Sequence, residues 1–156
     1  LDEYGKLFPS NGRYALQFER FFPFSCEKVF QVITDPEAFT KWYPFATGEM
    51  DLKEGGRIQF DDGEGAAYEA VILDLKPPHV FNFREIEDLI EISLQEENEG
   101  CRFFFTHTFD DQDMVEYVAA GWHRCIDVLE QIVHGQQVKW KYNASELRET
   151  YKKQFS

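Results

Sequence analysis

Positive charge is what this 156-residue chain has least of: 16 Lys and Arg stand against 29 Asp and Glu, a formal net charge of -13. That deficit excludes nucleic acid and an anionic membrane surface as partners, because both are polyanions held through Lys and Arg. Cysteine is also scarce. Cys26, Cys101 and Cys125 are odd in number, far apart and without a CxxC pair, so a disulfide framework is not expected and a reduced, cytoplasmic protein is the economical reading. No apolar run approaches the ~20 residues of a spanning helix, and the opening LDEYGKLF has no basic-then-apolar signal pattern. Catalytic punctuation is missing as well. There is no HExxH, no GxSxG, no phosphate-binding glycine loop and no dinucleotide fingerprint, and His79, His107, His123 and His134 lack metal-ligand spacing, so neither a metal nor a cofactor is expected.

What is present is apolar and aromatic. Hydrophobic residues make up 43% and aromatics 17% of the chain, enough for one domain with a Phe-rich core. Residues 1–12 mix Gly, Pro, Ser and charges without a period and read as a loose leader. RYALQFERFF (13–22) then alternates Tyr14, Leu16 and Phe18 against Ala15, Gln17 and Glu19, as a half-buried strand does. Ser25 caps a short helix with Val29, Phe30, Val32 and Ile33 buried, and Asp35-Pro36 starts a second one that Pro44 ends.

From residue 46 onward, runs such as GGRIQFDD, AAYEAVILDL, HVFNFRE, LIEISLQEE and CRFFFTHTF alternate with turn chemistry, including Gly55-Gly56, Pro77-Pro78 and Asn98-Glu99-Gly100. Without crossover helices between them, these runs form an antiparallel meander. Parity places Phe103, Phe105, His107 and Phe109 inward, with Phe81 and Phe83, with Ile90, Ile92 and Leu94, and with Ile58 and Phe60. The parity of Tyr68 to Leu75 stays open. The glutamates of these strands and turns, Glu85 among them, read as a solvated face.

Asp113 to Gly135 is the one long helical pattern, roughly 30 Å at about 1.5 Å per residue. Its stripe of Met114, Val115, Val118, Trp122, Cys125, Ile126, Leu129, Ile132 and Val133 needs a surface to lie on, whereas Glu116, His123, Arg124, Asp127, Glu130 and Gln131 can face water. In the tail, 136–156, Ser145, Leu147 and Tyr151 at helical spacing suggest a final short helix. The fold class is therefore α+β: about seven strands in a curved antiparallel sheet, two short helices after the first strand, and a long C-terminal helix.

VFQVITDPEAFTKWYP (29–44), Gly55-Gly56, Pro77-Pro78, Phe104-Phe105-Thr106-His107 and Gly121-Trp122 with Leu129 come in an order that resembles the helix-grip fold of the START-like superfamily. Within it the chain is similar to the carboxy-terminal domain of the activator of heat-shock protein 90 ATPase. The resemblance covers 13–135. It implies an apolar cavity between sheet and helix, whose expected lining is Trp42, Tyr43, Phe60, Tyr68, Phe83, Phe105, His107, Val118, Trp122 and Ile126. Ordinary core packing is the competing reading for each of these.

His107 stands apart, because a polar ring on a phenylalanine face needs a partner; with Tyr68 or Tyr43 it would orient the polar end of a ligand. Gly121 would let a neighbouring element approach the long helix closely. Three functions follow from the resemblance: a non-catalytic binding domain for a small hydrophobic molecule, a chaperone-docking protein, and a cavity enzyme using His107. The first is preferred, as a monomer or homodimer.

Overall fold

The computed structural model describes residues 3–141 and 143–156. Eight strands form one antiparallel sheet in the order β1-β2-β8-β7-β6-β5-β4-β3. They are β1 (Lys6–Ser10), β2 (Arg13–Phe22), β3 (Ala46–Met50), β4 (Arg57–Asp61), β5 (Ala67–Lys76), β6 (Val80–Glu85), β7 (Asp88–Glu97) and β8 (Gly100–Phe109). Between β2 and β3 lie α1 (Cys26–Thr34) and α2 (Pro36–Trp42); α3 (Val115–Val133) and α4 (Ala144–Phe155) follow the sheet. The helix pair carries the chain from one side of the sheet to its far edge, β3. The meander then returns strand by strand until β8 pairs with β2.

The strand count exceeds the sequence expectation by one, and the additional strand lies in the stretch read as loose leader. Asn11 and Gly12 have φ of 50° and 81°, the left-handed pair that turns a two-residue hairpin. Ser10 therefore pairs with Arg13, and the register continues to Lys6 opposite Gln17.

The local signals explain the other elements. The Ser25 side chain accepts from the Lys28 amide (3.2 Å) and that of Asp35 from the Ala38 amide (2.9 Å), so each short helix has its cap. Gly55 sits at φ 83°, and a side chain on Gly56 would collide with the Asp51 carbonyl, so the sharp turn into β4 requires glycine. The expected inward sets of β4, β6, β7 and β8 are all buried. In β5 the register slips between Ile72 and Asp74: Ile72 faces Phe83, yet Leu75 faces Phe81. This bulge flips the parity midway, so Ala70 and Ile72 pack inward before it and Leu75 after it. No single alternation describes that strand.

Helix α3 lies across the Phe-rich face, with Ile126 and Leu129 fully buried. Its opposite side meets solvent only in part. Against expectation, His123 is 0% exposed and Gln131 is buried, because α4 packs along α3 through Leu147 and Tyr151, and Gln131 clasps the Lys139 backbone with two hydrogen bonds (2.9 and 2.7 Å). Cys26 and Cys101, distant in sequence, meet in the core as free thiols with sulfurs 2.9 Å apart. Cys125 is buried too, and burial pushes its thiol up to about 12. Among the described residues no helix is long and apolar enough to cross a membrane.

Candidate functional site

The sheet and α3 part at one end, leaving an open, mainly apolar cavity of about 270 Å³ lined by Tyr43, Pro44, Phe45, Tyr68, Glu85, His107, Val118, Gly121 and Trp122. Local structure fixes each wall. Tyr43 ends α2, its amide bonded to the Phe39 carbonyl (2.9 Å) and its ring stacked on Phe39 at 4.7 Å. It also meets Trp122 at 5.1 Å. Tyr68 pairs with Phe60 across β5 and β4, and the two rings stack at 5.1 Å. Glu85 shares the inward face of β6 with Phe81 and Phe83 and closes that strand. Two apolar residues at the cavity end adopt the left-handed backbone region: Phe45 in the wall (φ 64°, 53% exposed) and Ile86, next to Glu85 (φ 57°, 65% exposed). A β-branched residue there is strained by roughly 1–2 kcal/mol.

Tyr43, Tyr68, His107, Val118 and Trp122 line the cavity, and Trp42, Phe60, Phe83, Phe105 and Ile126 lie behind it, each no more than 1% exposed, in the core. His107 is bonded differently from the expectation. Trp122 Nε1, which can only donate, bonds His107 Nδ1 at 2.9 Å; the ring proton therefore sits on Nε2, which donates to Asp88 Oδ2 at 2.8 Å. Both nitrogens are committed, and neither tyrosine is their partner.

The polar group missed in the sequence is Glu85. Tyr43 Oη donates to its Oε2 at 3.0 Å. Burial raises the Glu85 carboxyl, against the opposing pull of the Tyr43 hydroxyl and of His107. Burial and that carboxylate hold the Tyr43 phenol well up, and they push Tyr68 up to about 12. The signal was available: the parity that sends Phe81 and Phe83 inward sends Glu85 with them. Gly121 also corrects an expectation. Nothing lies within 4 Å of where its Cβ would stand, so it admits no neighbouring element and instead leaves the cavity mouth wide.

Other hollows have a different character. A polar cleft of about 180 Å³ runs among Glu3, Asp127, Glu130, Gln131, His134, Gln136 and Lys141, without the apolar walls of a ligand pocket. Among the described residues no His, Cys, Asp or Glu cluster is placed to hold a metal ion.

An antiparallel sheet gripping a long helix, with an opening between them, defines a START-like helix-grip protein. Residues 23–134 match the family of the activator of Hsp90 ATPase homolog 1-like protein, and the chain belongs to that family. Solved structures agree on the fold. A conserved protein of unknown function from Enterococcus faecalis superposes with a TM-score of 0.84 at 15% identity, over 97% of this chain and 90% of that one. CalU16 from Micromonospora echinospora gives 0.72 at 20% identity, over 96% and 93%. The Aha1 dimer from Colwellia psychrerythraea gives 0.64 at 17% identity, over 76% and 95%. No curated protein matches the chain.

Proposed function

We propose that this START-like domain binds a small, predominantly apolar molecule in the cavity between α3 and the sheet, without covalent chemistry. The observation that carries this reading is the cavity itself: aromatic lining from Tyr43, Phe45, Tyr68 and Trp122, an open mouth, and a convergent polar group, the Glu85–Tyr43 pair. The volume of about 270 Å³ suits a one- or two-ring molecule rather than a long lipid.

Gly121 supplies the test. A glycine inside a helix costs about 1 kcal/mol relative to alanine, and here no close contact demands it. Gly121→Leu should therefore keep the fold, gain up to ~1 kcal/mol of stability in urea denaturation and fill the mouth. Titrating the wild-type protein with 3-ethylindole, followed by amide chemical shifts, should move residues around Tyr43, Tyr68 and Trp122, and the variant should show no such movement. Equal shifts in both proteins would place the probe elsewhere and overturn the reading.

A further inference from the structure

Resting on that reading, we infer that the cavity selects apolar molecules that end in a hydrogen-bond donor or a cation, an aromatic amine being the plainest case, and rejects carboxylates such as fatty or aromatic acids. The argument is a census of donors and acceptors at the polar end. Glu85 is the one formally charged residue in the lining, and no Lys or Arg joins it. The Tyr43 hydroxyl proton is committed to Glu85 at 3.0 Å, so Tyr43 turns lone pairs, not a proton, toward a ligand. His107 uses its N–H on Asp88 and its lone pair on Trp122, whose own N–H is thereby occupied. The Tyr68 hydroxyl is drawn to the same Glu85 carboxylate, so a ligand arriving at this end meets acceptors that want protons and finds no donor prepared for it.

The surroundings push the same way. Arg13, a cation of neighbouring β2, points at other acids: its Nε bonds Asp110 at 2.6 Å and its Nη2 lies 3.9 Å from Asp88 while bonding the Glu87 backbone carbonyl at 2.8 Å. It neutralises the far side of the β6–β7 turn and leaves Glu85 uncompensated. The raised Glu85 and Tyr43 groups are what an unbalanced negative site in apolar surroundings produces. A bound ammonium would supply the missing charge, and the Tyr43, Tyr68 and Trp122 faces would receive it further through cation–π attraction. A carboxylate in the same place would sit against a like charge on a chain already at -13.

Three probes with one ring system separate the two layers of this proposal: 3-ethylindole (neutral), tryptamine (cationic) and indole-3-propionate (anionic), titrated calorimetrically at pH 7.5. Binding of 3-ethylindole reports on the cavity; the order of the three reports on its polar end. Tryptamine should bind about tenfold tighter than 3-ethylindole, the scale of one charge-assisted hydrogen bond, with indole-3-propionate weakest. In Glu85→Gln that tenfold advantage should fall to about twofold or less. A second measurement needs no variant: a contact to Glu85 inside the cavity should keep most of the preference when salt is raised to 0.5 M, whereas general attraction to an acidic protein should be screened away. If 3-ethylindole binds and tryptamine shows no advantage, or its advantage survives Glu85→Gln or vanishes in salt, the donor-selective end is wrong and the cavity reading stands. If none of the three binds, both fall.

Discussion

Trp122 and His123 are neighbours in α3 and look out on two differently built flanks of it. Trp122 faces the sheet, where its N–H starts a short chain of bonds through His107 to Asp88, a carboxylate still 37% exposed. An open cavity lies beside that chain. His123 faces α4 and is completely buried: its Nδ1 meets the Tyr151 hydroxyl at 2.8 Å, and the same hydroxyl accepts the Gly5 amide at 2.8 Å. Beside them Arg20 bonds Asp127 at 2.8 Å. One flank is thus closed by polar bonds that tie the amino-terminal stretch, α3 and α4 together, while the other is left open. The division follows the family boundary. Every residue of the cavity lies within the matched segment 23–134, whereas Gly5, Arg20 and Tyr151 lie outside it. The shared part of the chain carries the opening, and the flanking parts close the other side.

On this contrast, the closed flank should be the costlier one to damage. Tyr151→Ala should lose about 3–5 kcal/mol in urea denaturation, since it empties a buried aromatic site and strips partners from His123 and the Gly5 amide. Tyr151→Phe keeps the ring and should lose about 1–3 kcal/mol, the cost of buried groups left unpaired. A loss below about 1 kcal/mol for the alanine variant would mean that α4 merely lies on α3. On the open flank, Trp122→Phe retains a ring and removes one neutral hydrogen bond, so about 1 kcal/mol is expected. Its larger consequence should be local, a looser His107 ring visible as broadened imidazole resonances. If Trp122→Phe proves as damaging as Tyr151→Ala, the two flanks are equally structural and the comparison fails.

The sequence shows most of this architecture and little of the polar wiring, for physical reasons. Period-two alternation is strong wherever one face of a strand is buried, so Phe103, Phe105, His107 and Phe109 declare the inner face of β8 unaided. The same rule gives no answer in β5, because a bulge there shifts the alternation partway along. Asn11-Gly12 is a plain hairpin signal that a Pro- and Gly-containing leader obscures. His123 reads as solvent-facing because a helical wheel sees one partner surface, whereas α3 has two, and the second is formed by α4. Of the ten residues expected around the cavity, five line it and five pack behind it, since inward parity does not distinguish a wall from the layer beneath. The face of β8 declares that His107 needs a partner but not which; the indole N–H of Trp122 and the carboxylate of Asp88 reach it, a contact that depends on how α3 crosses the sheet and not on spacing along either element.

The two flanks should also respond to pH in opposite senses, the smallest of the expected effects. Burial lowers the His123 imidazolium pKa below its ordinary 6.5, so the folded protein holds this ring neutral while the unfolded chain protonates. Stability from this site is complete above pH 6.5 and is lost as pH falls from there through the folded value. Glu85 runs the other way. Its folded pKa is raised above the ordinary 4.5, so the folded state keeps a proton that the unfolded chain has released; stability is complete below pH 4.5 and is lost as pH rises through the folded value. Difference curves isolate each group from the other acids. Glu85→Gln should match wild type near pH 4 and exceed it at neutral pH, and His123→Gln should narrow its deficit as pH drops from 7 to 5. Parallel curves for wild type and Glu85→Gln across that range would show that the carboxylate is well solvated. The open flank would then have no unbalanced charge for a cationic ligand to answer.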